Sequence, residues 1–352
     1  MGYHSYITRD RDSWNAYVNR ALISEAYHTW HYHSLNKEGE AVLFVVNYNG
    51  DFIALPLIKR KIKDSSFFDL TSVYGYAGPI SNVDLSNIPA QWISYFRTAF
   101  VDFMSAEKCI CVFSRLHPFI NQHLLIQSIG DVRGNGNTIY IDLQQPVEMQ
   151  RSKYHKRLSR QIRQLYKADY IIREASSSEE IRDFTEIYHE NMDRLGASPA
   201  YYFDEQYFKD LLKNDQFQCK LILVYEKTQL ICGAVIFLSK TIVRNHLSAT
   251  SATHLNESPS KMLTDYISII GRDASANVFH LGGGVGGRRD SLFTFKSYFS
   301  DQEIEDRIWC YINDKKTYDA LVQEYSNNLA DSTGYFPAYR QNFSKETVQT
   351  AD

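Results

Sequence analysis

Val278-Phe-His-Leu-Gly-Gly-Gly-Val-Gly-Gly-Arg-Arg-Asp-Ser-Leu-Phe-Thr-Phe-Lys-Ser-Tyr-Phe299 is the stretch on which the fold turns. It predicts a short buried strand, a glycine-rich corner and a helix beginning near Asp290. Five glycines, Gly282, Gly283, Gly284, Gly286 and Gly287, fall within six positions, and glycine suits backbone that takes positive φ or lies close against another group. Asp290 or Ser291 can cap the helix that follows. That helix carries one lysine, Lys296, among Phe293, Phe295, Tyr298 and Phe299. A cation beside bare backbone N–H groups and a helix N-terminus suits a phosphate or a developing oxyanion; the plainer alternative is a tight turn with a solvated lysine. The tract is not a dinucleotide loop. It lacks Gly-x-Gly-x-x-Gly at the first strand–helix turn with an acidic residue about 20 positions on.

Outward from this tract, the chain reads as two halves of similar element order. In the first, a helix is expected over residues 10–33, then strands over 41–46 and 52–60 joined by Asn49-Gly50, a strong hairpin signal. A strand over 67–73, a helix over 89–105 with Trp92, Phe96, Ala99, Phe100 and Phe103 at helical spacing, a strand over 108–113, a short helix over 119–127 and a strand over 138–143 follow. In the second half, Ser177 and Glu180 form a capping box. Its helix carries Ile181, Phe184, Ile187, Tyr188, Met192 and Leu195 on one face and stops at Gly196. A helix over 204–213, strands over 220–226, 230–239 and 241–249, and a helix over 259–274 lead to the opening tract. A strand over 303–311 and a helix over 315–329 come last. Between the halves, Lys153, Lys156, Arg160, Arg163 and Lys167 are spaced 3-4-3-4. On one helix over 151–167 they form a cationic stripe, with Tyr154, Leu158, Ile162 and Leu165 nearly opposite. Such a ridge is either a solvated face or a guide for a phosphate-bearing substrate or a tRNA acceptor stem.

Composition excludes several classes. With 352 residues, 44% hydrophobic and 22% charged, the chain can bury the cores of about two domains and is not globally disordered. A net charge of −3 argues against a generic nucleic-acid binder and leaves only local patches. The five cysteines, Cys109, Cys111, Cys219, Cys232 and Cys310, are odd in number and sit mostly in apolar runs, which suggests reduced, buried thiols. No set of ligands completes a zinc site around Cys109 and Cys111. His28, His31 and His33 read as packing or hydrogen-bonding histidines because no carboxylate completes a metal set. The N-terminus has no apolar signal core and no run of about 18 apolar residues occurs, so a cytoplasmic protein is expected.

The tract His280-Leu-Gly-Gly-Gly…Asp290-Ser-Leu-Phe-Thr-Phe-Lys296-Ser-Tyr-Phe299 resembles the signature of the Fem (FemABX) peptidyltransferases, whose relatives include BioF-type acyltransferases of the GNAT superfamily. Three further segments agree with it: Tyr74-Gly-Tyr-Ala-Gly-Pro-Ile80 with the family's first-domain Gly-Pro loop, Ile141-Asp-Leu143 with the entry to its second domain, and Tyr188-His-Glu-Asn-Met-Asp-Arg194 with a helix ending in arginine. The resemblance covers most of the chain. It implies an α/β (α+β) fold of two tandem GNAT-like domains, each a mixed, mostly antiparallel sheet flanked by helices, around a shared cleft. The first would span 1–147 with a C-terminal return over 321–352, and the second 148–320.

The resemblance also implies an enzyme that transfers an acyl group to an amine without a covalent enzyme intermediate. Lys296 would stabilise the oxyanion, helped by backbone at Gly283 and Gly284. Arg194 would hold a phosphate, and Tyr74 and Tyr76 would line the acceptor side. The acceptor would be a phosphate-bearing, nucleotide- or lipid-linked cell-envelope precursor, an amino sugar or a peptide. No cofactor or metal would be bound permanently, and no DNA. The donor would be acyl-CoA, acyl carrier protein or aminoacyl-tRNA, and the protein could lie peripherally at the inner membrane face. An aminoacyl-tRNA-dependent enzyme building peptidoglycan bridges is the alternative within the family, and a binding protein that keeps the double fold is the alternative outside enzymes.

The chain departs from the family's pattern in three places. The long helical hairpin of some tRNA-dependent members is absent. Ile80-Ser81-Asn82 follows the Gly-Pro where an aspartate is common, with Asp84 later. The loop Thr253-His-Leu-Asn-Glu-Ser-Pro-Ser260 has no glycine where GNAT enzymes bind a pyrophosphate, though Ser258 could cap the next helix.

Overall fold

The computed structural model describes residues 2–325 and 335–341. The chain divides into two compact units, Met1–Asn135 with Asp306–Asp352, and Gly136–Glu305. The first begins with β1 (His4–Thr8), α1 (Arg11–Arg20) and α2 (Trp30–Ser34). The single helix expected over 10–33 is therefore broken, and β1 was not foreseen. Tertiary bonding explains the break: the Leu22 amide donates to the Ser81 carbonyl at 2.9 Å instead of continuing the helix. Further on, Glu25 and His28 close a capping box around a single 3-10 turn.

β2 (Glu40–Tyr48) and β3 (Asp51–Lys61) form the expected hairpin. Asn49 and Gly50 both take positive φ, 52° and 94°, the turn that matches the twist of paired strands. β4 (Phe68–Thr71), β5 (Ile80–Ser81), α3 (Ala90–Ala106), β6 (Cys109–Arg115) and α4 (His123–Ile126) complete this run. Strand β2 is buried on both faces. Val42, Phe44 and Val46 pack with Phe96 and Phe100 of α3, while Leu43 and Val45 pack with Trp14 and Val18 of α1.

The chain enters the second unit inside β7 (Asp131–Asp142), longer than the expected 138–143. Next come α5 (Val147–Ser152), α6 (Lys156–Leu165), β8 (Tyr170–Glu174), α7 (Ser178–Leu195) and α8 (Glu205–Leu212). After them lie β9 (Gln218–Glu226), β10 (Gln229–Leu238), β11 (Ile242–Thr250), α9 (Ser260–Asp273), β12 (Val278–Gly282) and α10 (Ser291–Ser297). The unit's strands run in the order β7-β12-β11-β10-β9-β8. The Ser177–Glu180 capping box opens α7 as expected, and Gly196 closes it with φ 58°. Leu195 departs from expectation: in the final turn, past the part of α7 that packs, it is 59% exposed.

Helices cover this sheet too. Leu158, Ile162 and Leu165 of α6 and Met262, Leu263 and Ile267 of α9 share one core with strand residues. Phe184 of α7 stands edge-on to Phe208 of α8. A Cβ on Gly233 would lie 2.7 Å from the Phe184 ring, so glycine lets α7 sit against β10.

β13 (Glu303–Ile312) carries the chain back to the first unit, where it pairs antiparallel with β6, and α11 (Lys315–Tyr325) follows. Residues 326–329 of the helix expected over 315–329 lie outside the described residues, as do 326–334 and 342–352 of the expected C-terminal return. Among the described residues, each unit has one parallel strand pair closed by a helix: β4 and β6 across α3, and β11 and β12 across α9. Their other neighbours, such as β2 and β3 or β9 and β10, are antiparallel. These are the mixed, mostly antiparallel sheets with flanking helices that were expected.

Candidate active site

The glycine corner is shaped by backbone contact. Gly282, Gly286 and Gly287 take positive φ, and a Cβ on Gly283 would lie 2.9 Å from the Asn137 carbonyl oxygen. At Gly284 a Cβ would overlap Arg288 and Asp290. Asp290 closes the corner at both ends. One carboxylate oxygen caps α10 by accepting from the Phe293 amide at 2.9 Å; the other accepts from the Val285 amide at 2.9 Å. These bonds, the Phe293 one foremost, hold the Asp290 carboxyl below the ordinary aspartate value.

α10 then carries Lys296 back over the corner. Its Nζ donates to the Gly283 carbonyl oxygen at 2.7 Å, so the lysine meets the carbonyl of this glycine rather than its amide. The side chain is half-buried, and on the same helix Phe295 and Phe299 meet at 5.5 Å and 66°, with Tyr154 edge-on to Phe299. A cation with little water around it acts more strongly on nearby charge. Arg289 pairs with Glu303 and lies over the Phe293 ring, covering the far side of the helix start.

Arg194, Tyr74 and Tyr76, the other expected side chains, have partners of their own. Arg194, exposed in the last turn of α7, bonds to Asn191 of its own helix. Tyr74 and Tyr76 belong to the first unit. Tyr74 is 44% exposed, and its carbonyl accepts from the Tyr32 hydroxyl at 2.8 Å. Tyr76 is buried under the Arg115 guanidinium. Gln122 holds that loop by donating to the Ala77 and Pro79 carbonyls at 3.0 and 2.8 Å. Ser258 does not cap α9: it takes φ 54° two residues before the helix, and its hydroxyl donates to the Leu255 carbonyl.

The basic segment over 151–167 is not one helix. It breaks after α5, where the His155 amide donates to the Tyr298 carbonyl at 2.9 Å and the two rings stack at 4.8 Å. α6 restarts with His155 as its cap. Lys153 bonds to Gln145, while Lys156, Arg157, Arg160, Arg163 and Lys167 stand exposed. Asp265 of α9, fully buried, anchors both helices. It accepts from Arg151 at 2.7 and 3.1 Å and from the hydroxyls of Tyr154 and Tyr166 at 2.9 Å each.

Sequence reasoning assigned no role to Asp265, Arg244, His280 or Thr138. For Arg244 and His280 the available signal was charge and imidazole inside apolar strands, and for Asp265 a carboxylate among the apolar residues of a helix, since such residues are rarely fully buried without partners. His33 is buried with its pKa lowered to about 4 by loss of solvent, and its Nδ1 bonds to the Thr29 carbonyl. Burial likewise pushes the thiols of Cys109 and Cys232 up to about 12. Among the described residues, no three or more His, Cys, Asp or Glu side chains form a group that could hold a metal, and no helix is long and apolar enough to cross a membrane.

The family model described as an acetyltransferase (GNAT) domain matches residues 152–289. No curated protein matches the chain in sequence. Among solved structures, FemX is similar with a TM-score of 0.70 at 14% identity, over 91% of this chain and 99% of its own. L-PGS from Bacillus licheniformis has a TM-score of 0.57 at 12% identity, over 87% of this chain and 93% of its own. A tandem GNAT protein from the clavulanic acid biosynthesis pathway has a TM-score of 0.52 at 7% identity, over 89% and 99%. At these identities the likeness is one of fold, and the acetyltransferase-type domain lies inside the unit that carries Lys296. Residues 152–289 are thus similar to a GNAT acetyltransferase domain, in a chain whose fold is like that of FemX.

Proposed function

We propose that this chain forms an amide by direct transfer of an acyl group to an amino group on a phosphate-bearing cell-envelope precursor, an amino sugar or a peptide. The amine nitrogen attacks the donor carbonyl. The carbonyl oxygen takes up negative charge in the tetrahedral intermediate. The ester or thioester bond then breaks, and the amine's lost proton balances the leaving alkoxide or thiolate. Lys296 stabilises that oxyanion, with backbone at Gly283 and Gly284 around it. Arg194 takes the acceptor phosphate, Tyr74 and Tyr76 line the acceptor side, and the work is done in the cytoplasm, at the inner membrane face for a lipid-linked acceptor.

The observation that carries this reading is the placement of Lys296: half-buried, 2.7 Å from a backbone oxygen of the glycine corner, on a helix whose neighbouring rings pack together. Exchange of that carbonyl for a substrate oxyanion would strengthen the contact as charge develops, which is the condition for catalysis.

The test is a donor and acceptor screen read by mass spectrometry, using acyl-CoA, acyl carrier protein and aminoacyl-tRNA against nucleotide- and lipid-linked amino sugars and muropeptides. Lys296→Ala is expected to lower kcat by about 100-fold or more. An unchanged rate would remove the lysine from the mechanism.

A second reading, an aminoacyl-tRNA-dependent transferase, is favoured by the exposed cations Lys156, Arg160 and Arg163 of α6, with Lys167 in the turn after it. Consecutive cations are three or four residues apart, roughly 5–6 Å along a helix axis, close enough to follow a phosphate backbone. Transfer from acyl-CoA or acyl carrier protein without tRNA would rule it out.

A further inference from the structure

β12 ends in a β-bulge. Its pairing with β7 sets Val278 against Asp142, Phe279 against Ile141 and His280 against Tyr140, then Gly282 against Ile139, with Leu281 as the extra residue. Its parallel pairing with β11 stops at the same point, with Arg244 opposite His280. Regular pairing thus fails on both edges just before the corner, and the backbone beyond needs another constraint to hold its place.

His280 supplies one. It is 1% exposed, as are Arg244 and Thr138. Its Nδ1 meets the Arg244 guanidinium, and its Nε2 lies 2.9 Å from Thr138 Oγ1. Thr138 Oγ1 in turn lies 3.2 Å from the Ile304 carbonyl oxygen. A guanidinium only donates, so Nδ1 accepts, Nε2–H donates to Thr138, and the Thr138 hydroxyl donates to Ile304. The chain of bonds has one direction and fits a neutral imidazole. A single ring ties β12 to β11 through one nitrogen and to β7 through the other. Three residues further along lies Gly283, the acceptor for Lys296.

We propose that His280, held by Arg244 and Thr138, is a positioning residue that fixes the bulge and so presents the Gly283 carbonyl to Lys296. Its consequence for catalysis rests on the role proposed for Lys296, but the placement itself can be tested without any substrate. The full chain is treated with limiting acetic anhydride, and acetylation is read lysine by lysine by mass spectrometry. Native Lys296 is expected to label slowly. His280→Leu and Thr138→Val are each expected to raise its labelling about five- to tenfold, the equivalent of about one net hydrogen bond, while exposed Lys315 stays unchanged. His280→Gln, with one acceptor and one donor, is expected to restore slow labelling. Unchanged labelling of Lys296 in a folded variant overturns the proposal. If His280→Leu does not fold, Thr138→Val, which cuts one link and keeps its volume, decides the matter. Because labelling needs neither donor nor acceptor, failure of the proposed function would leave this result standing. In a working assay, His280→Leu should cost nothing further in a Lys296→Ala background.

Discussion

Asp290 does two things with one carboxylate: it caps the helix that carries Lys296 and clamps the loop beneath it. Asp290→Ala is expected to lower the unfolding free energy by about 1–2 kcal/mol, as for a lost cap, measurable by urea titration. Its pKa is held below the ordinary value of 3.8, so the ionised form is the one that stabilises the fold. That contribution is complete above the unfolded value near 3.8 and is lost as pH falls through the lower folded value. The same titrations at falling pH should show that Asp290→Asn removes this part of the acid loss; an identical acid profile would count against the clamp. Asp290 and Lys296 were legible because cap and cation belong to one short run of sequence. The partners of His280 were not, because they come from strands 36 and 142 residues away.

At the scale of elements, hydrophobic spacing predicted α3 and α7 well, because their buried faces follow a helical period. It failed where tertiary bonds outcompeted helix continuation, at Leu22 and at His155. The buried carboxylate of Asp265 is the anchor that tethers α5 and α6, and the cationic row with them, to α9. Asp265→Ala would leave Arg151 and two tyrosine hydroxyls without their acceptor. We expect a loss of about 2–3 kcal/mol in stability, together with faster hydrogen exchange over α6 than over α7. Uniform exchange across both helices would contradict the tethering.

For the whole molecule, the chain's route makes the first unit depend on its last strand. Trp309 of β13 is fully buried and meets Phe100 of α3 at 5.6 Å, while β13 pairs with β6. A chain ending at Glu305 would lack that strand. We expect it to lose the cooperative thermal transition of the first unit, read by near-ultraviolet circular dichroism. A transition unchanged from the full chain would show that β6 does not need its partner.

The sequence by itself determined most of the element types, though not β1, β5 or β8, together with the glycine corner and the lysine helix. These follow from periodicity and capping, which act over a few residues. Tertiary structure alone decided that Lys296 faces the Gly283 carbonyl, that Arg194 bonds within its own helix, and that one buried imidazole ties three strands together. Those outcomes depend on which distant strands become neighbours, and on every buried donor finding an acceptor once water is gone.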